Sequence, residues 1–167
     1  MELFTIGYER ASVCDFLVTL QRVGIEQVID IRELPQSRRK GFSKNQLAGH
    51  LEGAGIIYRH FRQLGDPKHG REAAKAGLFD EFKAIYNAHL DLNASLSALK
   101  DVASLAFEKK SVLLCYERDA RYCHRKIVAD RLSVLYSFRV NHLGVREGIG
   151  EADSSRQGRS EFARASI

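Results

Sequence analysis

The apolar residues of this chain fall into short runs that are separated by longer amphipathic segments. Short runs bounded by polar or turn-forming residues predict buried strands, and a last segment with alternating character predicts one more. These segments lie at residues 3–6, 28–31, 56–58, 112–115 and 139–143. The run at 112–115 is the most apolar, so we expect it in the middle of the sheet.

Apolar residues that recur every three or four positions predict helices between these strands. The predicted helices cover residues 13–23, 44–51, 78–90, 92–107 and 123–136. Ser12 and Ser43 are the expected N-terminal caps of the first two, with Gln46 completing a capping box after Ser43. Gly24 is expected to end the first helix. Residues 61–77 are polar, which predicts a long loop that is functional or mobile.

Strands that alternate with helices predict an α/β fold. We expect a single domain with a mainly parallel sheet of about five strands and helices on both faces. The domain is expected to span residues 1–143. Residues 144–167 have few apolar anchors and are expected to form a flexible tail. Ligands of such sheets bind beyond the carboxyl ends of the strands, so the candidate site is expected there.

The composition is that of a globular protein, since 44% of the 167 residues are hydrophobic and 28% are charged. No apolar run approaches the ~20 residues that span a bilayer, and the N-terminus lacks the features of a secretory signal. The three cysteines, Cys14, Cys115 and Cys123, are too few for a secreted disulfide framework. We therefore expect reduced thiols, a cytoplasmic location and no membrane partner.

Polar and reactive residue types gather where the predicted strands end. In chain order they are Tyr8, Glu9, Asp30, Arg32, His60, Cys115, Tyr116, Glu117 and His142. Because the carboxyl ends of parallel strands share one edge, these residues predict a single polar site. A glycine precedes Tyr8, but the Gly-x-Gly-x-x-Gly fingerprint of dinucleotide binding is absent. Asp30 is expected to orient Arg32 or to act as a base; the alternative is a simple strand-end cap.

The segment from Cys115 to Arg125 carries the strongest chemical signal. A buried strand delivers Cys115, and a charged loop with Glu117 leads to Cys123 and His124 at the start of a helix. Free backbone N–H groups and the helix dipole favour a thiolate there. Cys123, or in second place Cys115, is the predicted nucleophile or redox thiol, with His124 or Glu117 handling protons. The alternative is structural, with both cysteines filling space and His124 at the surface.

Two other interpretations of these cysteines are weaker. Cys115 and Arg121 have the Cys-x5-Arg spacing of cysteine phosphatases, but the loop between them lacks glycine and carries two acidic residues. A metal site matches no common zinc spacing, although three ligands are available from Cys115, Cys123 and one of His60, His124 and His142. We therefore predict no metal and no cofactor.

A basic loop at residues 32–44 leaves the second strand and leads into a helix. Arginine side chains hold phosphate with paired hydrogen bonds, and a helix N-terminus offers free N–H groups. The predicted anion-binding residues are Arg32, Ser37, Arg38, Arg39 and Lys44 from this loop, with Tyr8 and Arg125 from other segments. The alternative is a solvated surface loop with ordinary positive charge.

Several motifs follow one another in a fixed order along the chain. They include Thr-Ile-Gly-Tyr-Glu, Val-Ile-Asp-Ile-Arg, Gly-Phe-Ser-Lys, Leu-Cys-Tyr-Glu and Cys-His-Arg, which begin at Thr5, Val28, Gly41, Leu114 and Cys123. This ordered set resembles the domain-of-unknown-function 488 family over most of the chain up to residue 143. The resemblance implies a compact bacterial or archaeal α/β domain with no established activity. It implies that the shared motifs include Asp30, Arg32, Ser37, Arg38, Cys115, Glu117, Cys123, His124 and Arg125.

Two hypotheses of function follow from these observations. The first is an enzyme that acts on a phosphorylated small molecule or nucleotide, with arginines holding the phosphate and a cysteine as nucleophile. The second is a nucleic-acid-binding protein with a basic stripe and stacking aromatic rings, from residues 32–44, Arg59, Arg62, Lys68, Arg71, Tyr8, Phe42, Tyr58 and Phe61. The net charge of +5 permits either. A ligand sensor or redox-regulated scaffold without turnover is a third possibility.

Overall fold

The structure is a computed structural model that describes residues 1–151. Its strands, in chain order, are β1 (Glu2–Gly7), β2 (Gln27–Asp30), β3 (Ile57–His60), β4 (Ser111–Cys115) and β5 (Arg139–Leu143). Its α-helices are α1 (Val13–Val23), α2 (Lys44–Gly53), α3 (Lys68–Lys75), α4 (Phe79–Leu90), α5 (Asn93–Glu108) and α6 (His124–Tyr136).

The five strands form one parallel sheet in the order β3-β2-β4-β1-β5. The predicted α/β class and the parallel sheet are therefore confirmed. β4 lies in the middle and all of its residues are buried, as its apolar run predicted. The carboxyl ends of the neighbouring strands β2, β4 and β1 bring Asp30, Cys115 and Gly7 to one edge of the sheet.

Helices cover both faces of the sheet, because successive residues of a strand point to opposite sides. Leu113 packs with the buried faces of α4, α5 and α6, whereas Val112 and Leu114 pack with those of α1 and α2. Each fully buried aliphatic side chain contributes about 1.5–3 kcal/mol through the hydrophobic effect. Within the described residues, no helix combines the length and apolar character that crossing a membrane requires.

Helix α1 begins and ends where the sequence predicts. The Ser12 hydroxyl accepts a hydrogen bond from the Asp15 N–H at 3.0 Å and so satisfies one free donor of the first turn. Gly24 adopts a left-handed φ of 73° and its N–H donates to the carbonyl of Gln21. Short-range chemistry alone explains both ends, which is why the sequence was sufficient here.

The start of α2 differs from the predicted capping box. The Ser43 hydroxyl makes no cap bond; it accepts from the Ser37 N–H at 3.2 Å. The Gln46 side chain accepts from the Gly41 N–H at 3.2 Å. The two side chains therefore hold the basic loop against α2, since the loop offers them donors that compete with the helix end.

Residues 61–77 are not the long loop that was predicted. They contain a short 3-10 turn at Arg62–Leu64 and helix α3. Leu64 is fully buried, and its carbonyl accepts a hydrogen bond from the Tyr86 hydroxyl at 2.6 Å. Tertiary contacts of this kind order a segment that is polar overall and carries few large apolar residues. The segment also supplies a residue of the candidate site.

The chain continues to pack on the domain after β5, as far as the structure describes it. The N–H groups of Gly148 and Gly150 donate to the Asp15 carboxylate in α1, at 3.2 and 2.8 Å. The segment predicted as a flexible tail, residues 144–167, therefore begins with a stretch that is held against α1. The remainder of that predicted tail, residues 152–167, lies outside the described residues.

Candidate active site

A cleft of about 680 Å³ opens at the carboxyl edge of the sheet. Its lining comes from the segments that follow β1, β2 and β4, and from α3 and α6 and the residues just before them. The titratable or positively charged side chains of interest are Asp66, Cys115, Glu117, His124, Arg38 and Arg39. The fold thus places the basic loop and the fourth strand end, which are distant in sequence, around one cavity.

Cys115, Glu117 and His124 form a compact cluster at this cleft. The Cys115 thiol donates to Glu117 Oε2 at 3.2 Å, and its sulfur lies 3.5 Å from His124 Nδ1 and 3.7 Å from Nε2. The His124 Nε2–H donates to the carbonyl of Ile31 at 3.1 Å. The ring of Tyr86 meets the His124 ring edge-on at a centroid distance of 5.3 Å. Sequence reasoning had not singled out Tyr86 as a support for His124, because it comes from α4.

Cys123 caps helix α6, as the sequence suggested, but it is not a residue of the cleft. Its sulfur accepts the Arg125 N–H at 3.5 Å, and the residue lines a different groove between α4 and α6. Cys123 and Cys115 are equally buried, each 3% exposed, so only the lining of the cleft distinguishes them. The geometry therefore favours Cys115 over Cys123 as the thiol that meets a ligand.

The helix start does not produce the thiolate that the sequence analysis expected. Burial raises the pKa of Cys123 well above its ordinary value, and the adjacent Cys115 sulfur adds to this effect. Burial likewise raises the pKa of Cys115, with a further contribution from the Glu117 carboxylate. The desolvation of both sulfurs outweighs the helix dipole because neither lies in water. Both cysteines are thiols at neutral pH.

The pKa values of the other two members of the cluster are shifted in opposite directions. Burial alone would raise the pKa of Glu117, but hydrogen bonds that include the Cys123 thiol, together with His124, lower it overall. Burial alone would lower the pKa of His124, but Cys123 and the carboxylates of Glu117 and Asp66 raise it to about 9. At neutral pH the cleft therefore holds a Glu117 carboxylate and a Cys115 thiol next to the His124 ring.

Asp30 and Arg32 form a buried ion pair. Asp30 is fully buried and accepts three hydrogen bonds from the Arg32 guanidinium, the shortest being 2.6 Å, and another from the Tyr58 hydroxyl at 2.6 Å. Arg32 also donates to the Tyr8 hydroxyl and to the Phe42 carbonyl, both at 2.9 Å. The prediction that Asp30 orients Arg32 agrees with this geometry. The suggested role of Asp30 as a base does not, since its oxygens are occupied within the protein.

Arg125 is buried and bonded within the protein and does not line the cleft, so the geometry gives no support to its predicted role in binding an anion there. It is 1% exposed, and its guanidinium donates to the carbonyls of Glu117 and Arg118 and to the Thr5 hydroxyl. These bonds tie the loop after β4 to β1. Because every nitrogen of the guanidinium has an internal acceptor, none is directed at a ligand.

The remaining predicted anion-binding residues of the basic loop differ in their hydrogen-bond partners and in whether they line the cleft. Arg38 is exposed, lines the cleft and has no hydrogen-bond or ion-pair partner among the described residues. One guanidinium nitrogen of Arg39 donates a hydrogen bond to the Ala11 carbonyl at 2.8 Å. Arg39 also lines the cleft. The Ser37 hydroxyl accepts the Arg39 N–H at 3.1 Å. Lys44 lies outside the cleft lining, with its amine 3.4 Å from His60 Nδ1.

Asp66 is a cleft residue that the sequence analysis missed. It is 8% exposed, and within residues 1–151 its buried Oδ1 has no hydrogen-bond partner. A Cβ on Gly70 would lie 2.2 Å from this oxygen, so the glycine makes room for the carboxyl group. Burial raises the pKa of Asp66 to about 6, although His124 and Arg71 oppose the shift. The only signal in the sequence was its place in the polar segment 61–77.

Asp66→Asn is expected to remove a pH-dependent loss of stability. The folded-state pKa of about 6 lies above the ordinary 3.8, so Asp66 contributes stability that is complete below pH 3.8 and disappears as the pH rises through about 6. Relative to the native protein, Asp66→Asn should therefore gain free energy of unfolding between pH 4 and pH 7. Urea unfolding across this range measures the difference, with Asp130→Asn as an exposed control. A difference that does not change with pH would contradict the assignment.

The arginine of the Cys-x5-Arg spacing does not reach the cleft. Arg121 is exposed and donates to the Asp119 carboxylate on its own loop, at 2.7–3.1 Å. It lines two other surface grooves. The phosphatase-like interpretation therefore gains no support from the geometry.

The aromatic residues proposed to stack on nucleic-acid bases are mostly committed inside the protein. Tyr8 and Phe42 are 2% and 0% exposed and stack on each other with ring centroids 4.5 Å apart. The Tyr58 hydroxyl is bonded to Asp30, and Arg71 is paired with Glu33. Stacking by Tyr8 and Phe42 was therefore a wrong prediction, because both rings fill the core between the sheet and α1 and α2.

Fold and site together define a class of protein: a parallel α/β domain with a thiol, an imidazole and a carboxylate clustered at the carboxyl edge of its sheet. Within that class, the chain belongs to the family described as Domain of unknown function DUF488, whose family model matches residues 12–132. The resemblance that was drawn from the ordered motifs is thereby confirmed. No curated protein and no solved structure matches the chain.

Proposed function

We propose that this protein is an enzyme that acts on a phosphorylated small molecule or a nucleotide. The observation that carries the proposal is the shared cleft, in which the Cys115 thiol and the arginines of the basic loop border one cavity. Its volume of about 680 Å³ is typical of sites for small molecules. A substrate whose phosphate meets the arginines would extend its remaining part towards Cys115.

Arg38 and Arg39 are the phosphate-binding residues in this proposal. Arg38 is exposed at the cleft, and Arg39 keeps guanidinium nitrogens beyond the one that bonds Ala11. Charge-assisted bonds from a guanidinium to phosphate are about twice as strong as neutral hydrogen bonds. The Ser37 hydroxyl, which already accepts the Arg39 N–H, lines the same wall.

Cys115 is the nucleophile in this proposal and Glu117 is its base. Their existing hydrogen bond, 3.2 Å long, lets Glu117 take the thiol proton while the sulfur bonds to an electrophilic atom of the substrate. The bond from that atom to the leaving group breaks, and its electron pair departs with the leaving group. Asp66, with a pKa of about 6, donates the proton that the leaving group needs. The His124 ring lies beside the sulfur and stabilises the developing thiolate. Water then attacks the substrate atom and gives a proton to Asp66. The bond from that atom to the sulfur breaks, the sulfur takes its proton back from Glu117, and the second product is released.

A reducing compartment such as the cytoplasm is the proposed location. The mechanism needs Cys115 as a free thiol, and Cys14, Cys115 and Cys123 are all free cysteines in the structure. Free buried thiols persist where thiol reductants dominate.

Alkylation of Cys115 is expected to respond to phosphate. At pH 7, Cys115 should react with iodoacetamide more slowly than the exposed Cys14, and millimolar phosphate should slow it further by occupying the arginines. Mass spectrometry of each cysteine measures the rates in chelator-treated protein. Arg38→Ala/Arg39→Ala should lose the protection, whereas Arg59→Ala, on the edge strand β3, should keep it. Rates that ignore phosphate in the native protein would contradict a shared site.

A screen for turnover of phosphomonoesters and nucleotides tests the reaction itself. Cys115→Ser should lower any turnover by at least about a thousandfold, while Cys14→Ser should leave it unchanged. The arginine double variant should raise KM more than it lowers kcat, because the lost contacts bind the phosphate equally in the ground state and in the transition state. Circular dichroism verifies that each variant is folded. Turnover that survives Cys115→Ser would exclude the covalent mechanism.

A further inference from the structure

Three potential metal ligands meet in the interior just behind the cleft. The sulfurs of Cys115 and Cys123 and one ring nitrogen of His124 all lie within 4.8 Å of one another. All three residues are buried, at 3%, 3% and 6% exposure. The Glu117 carboxylate is adjacent, with Oε2 3.2 Å from the Cys115 sulfur. Two soft sulfurs, an imidazole and a carboxylate are a ligand set that suits a tetrahedral zinc ion.

The spacing of the ligand atoms fits the edges of such a tetrahedron. Metal–sulfur bonds of about 2.3 Å and metal–nitrogen bonds of about 2.0–2.1 Å place sulfur and nitrogen about 3.5 Å apart. In the structure, His124 Nδ1 lies 3.5 Å from the Cys115 sulfur and 4.0 Å from the Cys123 sulfur. Both distances lie within about 0.5 Å of that edge length, and the two sulfurs lie within 4.8 Å of each other.

The histidine also has the support that metal-binding histidines require. Its Nε2–H donates to the Ile31 carbonyl at 3.1 Å, which leaves Nδ1 facing the sulfurs. Such a bond from the far ring nitrogen fixes the ring and the tautomer of a ligating histidine. The carbonyl belongs to the residue after β2, so the sheet itself sets this orientation.

We propose that Cys115, Cys123, His124 and Glu117 form a binding site for a divalent zinc-type cation. Binding forms two metal–sulfur bonds, one metal–nitrogen bond and one metal–oxygen bond. The two thiol protons and the Nδ1 proton of His124 pass to solvent, so binding weakens as the pH falls. The site goes beyond the proposed enzymatic function, since its geometry requires no substrate. If Cys115 is the nucleophile, the metal-loaded protein is inactive, because the Cys115 sulfur is then bonded to the metal.

The test is a titration of reduced, chelator-treated full-length protein with Co²⁺, which reports tetrahedral thiolate ligands by intense charge-transfer and visible absorption. We expect saturation at one equivalent per chain, and loss of the bands when Zn²⁺ is added in competition. Cys115→Ser and Cys123→Ser should each weaken the charge-transfer bands, because one of the two cobalt–sulfur bonds is lost, and the double variant should lose them, whereas Cys14→Ser should keep them at full intensity. Native protein without thiolate bands, bands at full intensity in either of the first two variants, or bands that survive in the double variant would overturn the proposal.

A second measurement needs no substitution and separates the two proposals. One equivalent of Zn²⁺ should protect both Cys115 and Cys123 of the native protein from alkylation, and leave Cys14 reactive. Zinc that protects neither buried cysteine would contradict the metal site. The phosphate protection of Cys115 is measured without metal, so either proposal can fail while the other stands.

Discussion

Asp30→Ala is expected to destabilise the folded protein by about 3–5 kcal/mol. Asp30 and Arg32 are 0% and 5% exposed, and their closest nitrogen–oxygen distance is 2.6 Å. Removing the carboxylate leaves the Arg32 charge buried without its counterion and frees the Tyr58 hydroxyl of its acceptor. A buried charge without a partner costs far more than the lost attraction alone, because water cannot solvate it.

Urea unfolding at pH 7 measures this effect against a matched pair at the surface. Asp130 accepts from Lys126 at 2.6 Å in an exposed ion pair, so Asp130→Ala should change the unfolding free energy by no more than about 1 kcal/mol. An Asp30→Ala protein as stable as Asp130→Ala would contradict the buried ion pair and reopen a functional role for Asp30.

Gly7→Ala is expected to have the second large effect, with a loss of about 3 kcal/mol. A Cβ on Gly7 would lie 1.8 Å from the carbonyl oxygen of Glu117 and 2.8 Å from an Arg125 nitrogen. The oxygen belongs to the backbone and is held by Arg125, so it cannot move aside cheaply. The strain falls on the loop that positions Glu117 against Cys115, and alkylation of Cys115 should change together with stability.

The control for Gly7→Ala is Gly49→Ala. Gly49 lies in α2, and a Cβ there meets nothing within 4 Å. Alanine should therefore stabilise the protein by about 0.5–1 kcal/mol through helix propensity. Thermal and urea unfolding of the two variants should move in opposite directions. A Gly7→Ala protein with native stability and native Cys115 reactivity would contradict the prediction, because it would mean that the loop after β4 moves aside at little cost.

For Cys123, neighbouring residues in the sequence predicted the helix cap but not the pKa of the thiol. The sequence identified Cys123 as the cap of a helix, and the structure agrees. The inference that a helix start lowers the pKa of the thiol failed, because burial acts in the opposite direction and is the larger effect. Burial depends on what packs over the helix start, and no residue near Cys123 in sequence reveals that.

For Asp66 and Arg125, too, the residue type alone did not reveal the structural role. Asp66 lies in a polar segment, and its role arises only because the start of α3 and the end of β4 meet at one cleft. Arg125 has the residue type of an anion ligand, yet carbonyls of the loop after β4 occupy its donors. In both cases residue type suggested a range of roles, and long-range contacts selected one.

The sequence by itself determined the five strands, the helices α1, α2, α4, α5 and α6, the parallel α/β class, the central place of β4, the family and the edge at which polar residues collect, but not helix α3. These features rest on periodicity, caps and strand ends, which are set by neighbours in the chain. Only the tertiary structure decided which charges are internal pairs, as at Asp30 and Arg32, and which polar groups share a cavity, as at Cys115 and Asp66. The physical reason is that burial and pairing fix solvation and charge, and both depend on segments that are distant in sequence.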